Sequence, residues 1–143
     1  MIAKSSGFSL IELLVVIAII GILSAAGTLT YSGYVEGAKK NSAENTVQQI
    51  ALAQSEEYAN TGSFYITGGP GTCDATSTSS QGIEDNLFDG ENTIADDIGF
   101  EMCTFGNAAG FTVSAQQEGT SCVITVTKYG TPQRTGCLLY TSD

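Results

Sequence analysis

The chain has 143 residues, with 15 acidic against 5 basic side chains, a net charge of −10, no histidine and no tryptophan. That length holds one modest domain and a single additional segment. The charge opposes nucleic acid unless the few cations are grouped, and the lack of histidine removes every Ser-His or Cys-His catalytic pair and every imidazole metal ligand.

Met1 to Gly7 is short and polar, with Lys4 as its one charge. An apolar run follows, from Phe8 to Ala26, interrupted only by Ser9, Glu12, Gly21 and Ser24. About 20 helical residues at 1.5 Å each span the roughly 30 Å hydrocarbon core of a bilayer, so this segment predicts a transmembrane helix. Its order differs from that of a secretory signal, in which the small-residue cleavage site follows the apolar stretch. Here the small residue, Gly7, precedes it, and a cut between Gly7 and Phe8 removes the polar leader while keeping the helix. Lys4 favours a cytoplasmic leader by the positive-inside rule, which places the chain beyond residue 27 outside. Glu12 costs about 2.5–3.5 kcal/mol if left alone in hydrocarbon, so its presence predicts a function; a carboxylate snorkelling at the membrane surface is the plainer alternative.

The stretch Gly7-Phe8-Ser9-Leu10-Ile11-Glu12-Leu13-Leu14-Val15-Val16-Ile17-Ala18-Ile19-Ile20-Gly21-Ile22-Leu23 resembles the class III signal of type IV prepilins and pseudopilins. The resemblance covers about the first 25 residues. It implies that a prepilin peptidase cuts after Gly7 and that the new N-terminus, Phe8, is N-methylated. It also implies two roles for Glu12, in promoting methylation and in pairing with the Phe8 amine of a neighbouring subunit. Two opposite charges in low dielectric persist only when paired, so such a contact both neutralises Glu12 and sets the axial register of a helical polymer.

Residues 28–60 contain no proline, and Tyr31, Val35, Ala38, Val47, Ile50, Ala51, Leu52 and Tyr58 recur at spacings compatible with one helical face. Glu36 and Lys40 form a favourable i,i+4 pair, and Lys39 and Lys40 read as a solvated face. The helix is expected to end near Asn60-Thr61-Gly62, with Gly62 as a left-handed cap. Gly21, Gly27, Gly33 and Gly37 permit close helix packing. Ala53 to Tyr65 resembles, less specifically, the helix exit of short pilins and pseudopilins.

Residues 61–98 read as an irregular connection containing Gly68-Gly69-Pro70-Gly71 and the hydroxyl run Thr76-Ser77-Thr78-Ser79-Ser80, a candidate for flexibility or glycosylation. Glu84, Asp85, Asp89, Glu91, Asp96 and Asp97 offer hard oxygen ligands, and a calcium-loop register can be started at Asp85. Leu87 then falls on a ligand position, so no metal and no cofactor is expected. From residue 99 to 143 the pattern turns to strands, predicted over Phe100–Phe105, Phe111–Gln116, Cys122–Lys128 and Cys137–Tyr140. Val123, Thr125 and Thr127 alternate with Ile124 and Val126, as in a sheet with one buried face. Cys73, Cys103, Cys122 and Cys137 lack the spacing or histidine partners of a zinc site and predict disulfides in an oxidising compartment. Of three possible pairings, Cys73–Cys103 with Cys122–Cys137 is favoured, tying the connection to the first strand and closing a C-terminal loop.

The expected architecture is α+β, a long N-terminal helix, half transmembrane, packed on a small antiparallel sheet in the manner of type IV pilins. Five segments follow: 1–7 as leader, 8–27 as the membrane and filament-core half of the helix, 28–60 as its amphipathic half, 61–98 as connection, and 99–143 as sheet and disulfide loop. The expected function is a pilin that polymerises with itself into a pilus used in adhesion, motility or DNA uptake. Its partners are prepilin peptidase, the inner membrane and the assembly machinery, with no direct contact to nucleic acid. It would reside in the inner membrane before assembly and in an extracellular filament afterwards. The alternatives are a pseudopilin of type II secretion and a minor pilin whose exposed domain binds a ligand. No residue constellation supports an enzyme.

Overall fold

The computed structural model describes residues 7–94 and 98–137. Helix α1 runs over Leu10–Thr61. It is followed by α2, Ser77–Leu87, and by strands β1, Phe100–Asn107, β2, Gly110–Gln117, β3, Val123–Thr127, and β4, Gln133–Thr135. The strands form one antiparallel sheet in the order β1-β2-β3-β4. The architecture is α+β, an apolar N-terminal helix packed on a four-stranded antiparallel sheet, consistent with a type IV pilin fold. The chain divides into two compact units, with the boundary between Gly37 and Ala38 inside α1.

In the second unit, α1 buries Ala43, Val47, Ile50 and Gln54, a 4-3-4 spacing that stays on one stripe. Leu52, expected on that face, is 72% exposed, and Ala38 is also exposed. Two residues beyond Ile50 is roughly 200° around the helix, which carries Leu52 to the opposite side. The helix stops where expected: Gly62 adopts φ 77°, a value only glycine takes at little cost, and its N–H donates to the Tyr58 carbonyl at 2.9 Å.

The sheet meets this stripe with cross-strand rows. Met102, Ala115 and Ile124 lie opposite one another across β1, β2 and β3, as do Thr104, Val113 and Val126, and all six are buried. Phe64, Ile83, Ile94, Ile98, Phe100 and Phe111 complete the core. On β3, Ile124 and Val126 are buried while Thr127 is exposed, the alternation expected of a sheet with one covered face.

One expectation is corrected, and one strand appears where none was expected. Residues 77–87, read as part of an irregular connection, form α2. Thr76 is its N-cap and forms a reciprocal capping box with Ser79, so the hydroxyl run begins a helix. Serine and threonine are weak helix formers in the interior, and the compensation is tertiary. Ile83 is fully buried, the Ser79 hydroxyl donates to the Met102 carbonyl at 2.6 Å, and the Ser80 hydroxyl accepts from the Met102 N–H at 2.9 Å. The last strand among the described residues is Gln133–Thr135, which the sequence did not suggest; of the strand expected over Cys137–Tyr140, Cys137 is not in a strand and residues 138–140 lie outside the described residues. Gly136, at φ 66°, turns the chain out of the strand, and Gln133, Arg134 and Thr135 carry no apolar side chain to mark it.

Candidate functional site

The segment that the sequence singles out begins before α1. Gly7, Phe8 and Ser9 are non-helical and exposed, and α1 starts at Leu10. The Leu13 N–H donates to the Ser9 carbonyl at 3.3 Å, which makes Ser9 the residue from which the helix departs. Glu12, in the first turn, accepts the Ser9 backbone N–H on Oε2 at 2.8 Å. This is the backward-reaching half of a capping box, and a carboxylate there also meets the positive end of the helix macrodipole. Glu12 is thus held by its own helix end, a role that the resemblance did not supply. The signal for it was present in the Ser9-x-x-Glu12 spacing. Lys4 lies outside the described residues.

From Phe8 to Leu23, every large apolar side chain is between 46% and 88% exposed. The most apolar 18-residue window of α1 buries nothing and is long and apolar enough to cross a membrane. Just beyond it, Thr28 donates to the Ala25 carbonyl and Thr30 to the Ala26 carbonyl, each at 3.2 Å, so both hydroxyls find acceptors on their own helix. A Cβ placed on Gly21, Gly27 or Gly37 would meet nothing within 4 Å, so these glycines leave the helix surface open to close approach.

A family model described as the prokaryotic N-terminal methylation motif matches residues 2–28. The match supports a type IV pilin-like protein. The motif implies processing by prepilin peptidase and points to a structural subunit rather than an enzyme. With the apolar helix, it fits membrane anchoring before assembly. No curated protein and no solved structure matches the chain.

Elsewhere in the chain, the cysteines are joined as Cys73–Cys103 and Cys122–Cys137. Cys103 is fully buried on the sheet face turned away from α1, opposite Ser114. Cys73 is fastened there a second time, because Gln116 Nε2 donates to its carbonyl at 3.1 Å. The second bridge closes a loop containing β4.

The register considered for a calcium loop begins inside α2. Asp85 and Leu87 lie within α2, where two residues face opposite ways, and Glu84 Oε1 accepts the Ile94 N–H at 2.8 Å. Asp96 and Asp97 lie outside the described residues. Among the described residues, no group of three or more acidic or cysteine side chains is arranged to hold a metal.

Nor do Lys128 and Arg134 form a shared basic patch within the chain. Arg134 pairs with Ile124 on the core side of β4, and its guanidinium reaches α1. Its Nε meets Glu44 Oε1 at 2.6 Å, and its Nη2 donates to Asn41 Oδ1 at 2.9 Å. The hydrogen bond to Glu44, against a smaller opposing effect of burial, raises the Arg134 pKa above its already high ordinary value. The Lys128 ammonium lies 5.3 Å, 5.1 Å and 5.2 Å from the ring centres of Tyr58, Phe64 and Tyr129.

Sequence reasoning missed one residue that organises this unit. Gln54 is fully buried and clamps the chain after α1 in both directions. Its Nε2 donates to the Tyr65 carbonyl at 2.6 Å, and its Oε1 accepts the Tyr65 N–H at 2.9 Å. A glutamine among polar helix residues carries no local mark of this partner, which sits 11 positions away.

Proposed function

We propose that this chain is a pilin, a structural subunit cut between Gly7 and Phe8, N-methylated on Phe8, and polymerised through α1 into a type IV pilus. The observation that supports the reading is the exposed apolar first half of α1, which lies within the prepilin-type motif. Such a surface is stable only in lipid or against other helices. In this reading 1–7 is the leader, 8–27 the membrane and filament-core half, and 28–60 the half that carries the remainder of the chain.

Glu12 acts in two stages. Before assembly it accepts the Ser9 N–H of its own helix end. On assembly the same carboxylate meets the Phe8 amine of a neighbour displaced along the axis, which neutralises both charges and selects one register. Two disulfides in a small acidic domain suit an exposed extracellular filament, where proteases and shear act on each subunit. Adhesion, motility and DNA uptake are uses to which such a filament is put by its machinery.

The decisive experiment is mass spectrometry of filaments sheared from cells producing the protein. A dominant chain beginning at methylated Phe8, lighter by two hydrogens per disulfide, is the expected result. Processed protein retained in the envelope and absent or only in trace in filaments would replace this reading by a pseudopilin or a minor subunit. A Glu12→Ala variant should be exported and processed while filament yield falls; normal filaments in that variant would refute the register role.

A further inference from the structure

Within α1 the apolar surface ends at two aromatic side chains. Tyr31 is 70% exposed and Tyr34 76% exposed, and they lie three positions apart on neighbouring lines of one helix face. Neither makes a hydrogen bond or ring contact among the described residues. Between Leu10 and Val35 the only charged residue is Glu12, and Glu36, Lys39 and Lys40 follow. Residues 10–29 span about 30 Å at 1.5 Å per residue, which matches the hydrocarbon core. Tyr31 and Tyr34 then fall at the polar boundary opposite to the end that carries Glu12.

We propose that Tyr31 and Tyr34 form an interfacial anchor for phospholipid headgroups, fixing the depth of the unassembled chain in the bilayer. Tyrosine suits this position because its ring is amphipathic. The aromatic body lies against the upper acyl chains while the phenolic O–H reaches headgroup oxygens and water. A second consequence follows from distance. Glu12 and Tyr31 are about 28 Å apart along a helix axis, nearly the full hydrocarbon thickness. Anchoring Tyr31 at one boundary therefore holds the Glu12 carboxylate at the other, where it stays hydrated at little cost. The charge is forced into hydrocarbon only when the chain leaves this depth, and a cationic partner becomes favourable at that step.

The proposal rests on the reading of α1 as a membrane anchor before assembly, and the test separates the two. The chain has no tryptophan, so one introduced indole reports alone. Full-length Tyr31→Trp, Tyr34→Trp and Ile20→Trp variants are reconstituted into phosphatidylethanolamine–phosphatidylglycerol vesicles containing lipids brominated at shallow or deep acyl positions. Failure of all variants to float with the vesicles would refute the membrane reading and the anchor together. With the chain membrane-bound, the Ile20→Trp indole should be quenched best by deep bromines, and those at 31 and 34 best by shallow ones. Water-like emission without quenching at 31 and 34, beside a deep reporter at 20, would overturn the anchor alone. Adding Tyr31→Ala and Tyr34→Ala to the Ile20→Trp variant should move its reporter by roughly one helical turn, about 5 Å. An unchanged depth there would also overturn it.

Discussion

Replacing Gln54 by leucine tests whether the amide clamp or the core alone holds the second unit together. The substitution keeps roughly the same volume at a fully buried position but removes both hydrogen bonds to Tyr65. The two ends of that peptide fare differently. The Tyr65 carbonyl keeps a second donor, the Thr104 hydroxyl at 2.8 Å, whereas the Tyr65 N–H loses its acceptor. A donor left unsatisfied in the interior costs about 1–3 kcal/mol, and a leucine side chain recovers part of that through apolar contact, so the expected loss is about 2 kcal/mol. For a cooperative unit of about 100 residues, 1 kcal/mol shifts Tm by about 4–8 °C, so unfolding should occur roughly 10 °C lower. Thermal circular dichroism on the full chain in detergent reads this directly, with exposed Gln49→Leu as a control expected within about 0.5 kcal/mol of the parent. A Gln54→Leu protein that melts with the control would show that the clamp contributes nothing to the stability of this unit.

Removing the Cys122–Cys137 bridge as a double serine variant should destabilise by about 3 kcal/mol in the chain-entropy account, and the wider Cys73–Cys103 bridge by slightly more; urea midpoints give the order. Ser80→Ala removes the hydroxyl that accepts the Met102 N–H on the outer edge of β1 and should cost about 1–2 kcal/mol, with light scattering rising if the bared edge pairs between chains. Arg134→Ala should cost no more than about 1 kcal/mol, because the ion pair is partly solvated, and double-mutant cycles with Glu44→Ala should show the coupling shrink in salt. The Arg134 pKa is raised on folding, so its contribution is complete below the unfolded value and is lost only as pH rises through the folded one. Both lie far above neutral pH, so deprotonation of Arg134 contributes no change in stability between neutral pH and pH 10.

The exposed apolar start of α1, its end at Gly62 and the three longer strands were legible because each depends on local pattern. An uninterrupted apolar run, a glycine after a helical stretch and a two-residue alternation are visible without knowledge of the partner surface. The Ser9-x-x-Glu12 cap was equally local but was eclipsed by the intermolecular role that the resemblance assigns to Glu12. Helix α2 was misread because its residues, taken alone, favour turns; Ile83 in the core and two serine hydroxyls on β1 make the helix worthwhile. Strand β4 was not expected because its residues carry no alternation, and its position is set by pairing with Val123, Ile124 and Thr125.

By itself the sequence determined that this chain carries a prepilin-type motif and one helix able to span a membrane, since each is a property of consecutive residues. Only the tertiary structure decided which side of α1 is buried, that Ser79 and Ser80 guard the open edge of β1, and that Gln54 clamps Tyr65. It also decided that Arg134 closes β4 onto Glu44, a partner 90 positions away. A buried polar group is defined by its partner, and a partner far along the chain leaves no periodic trace in the sequence.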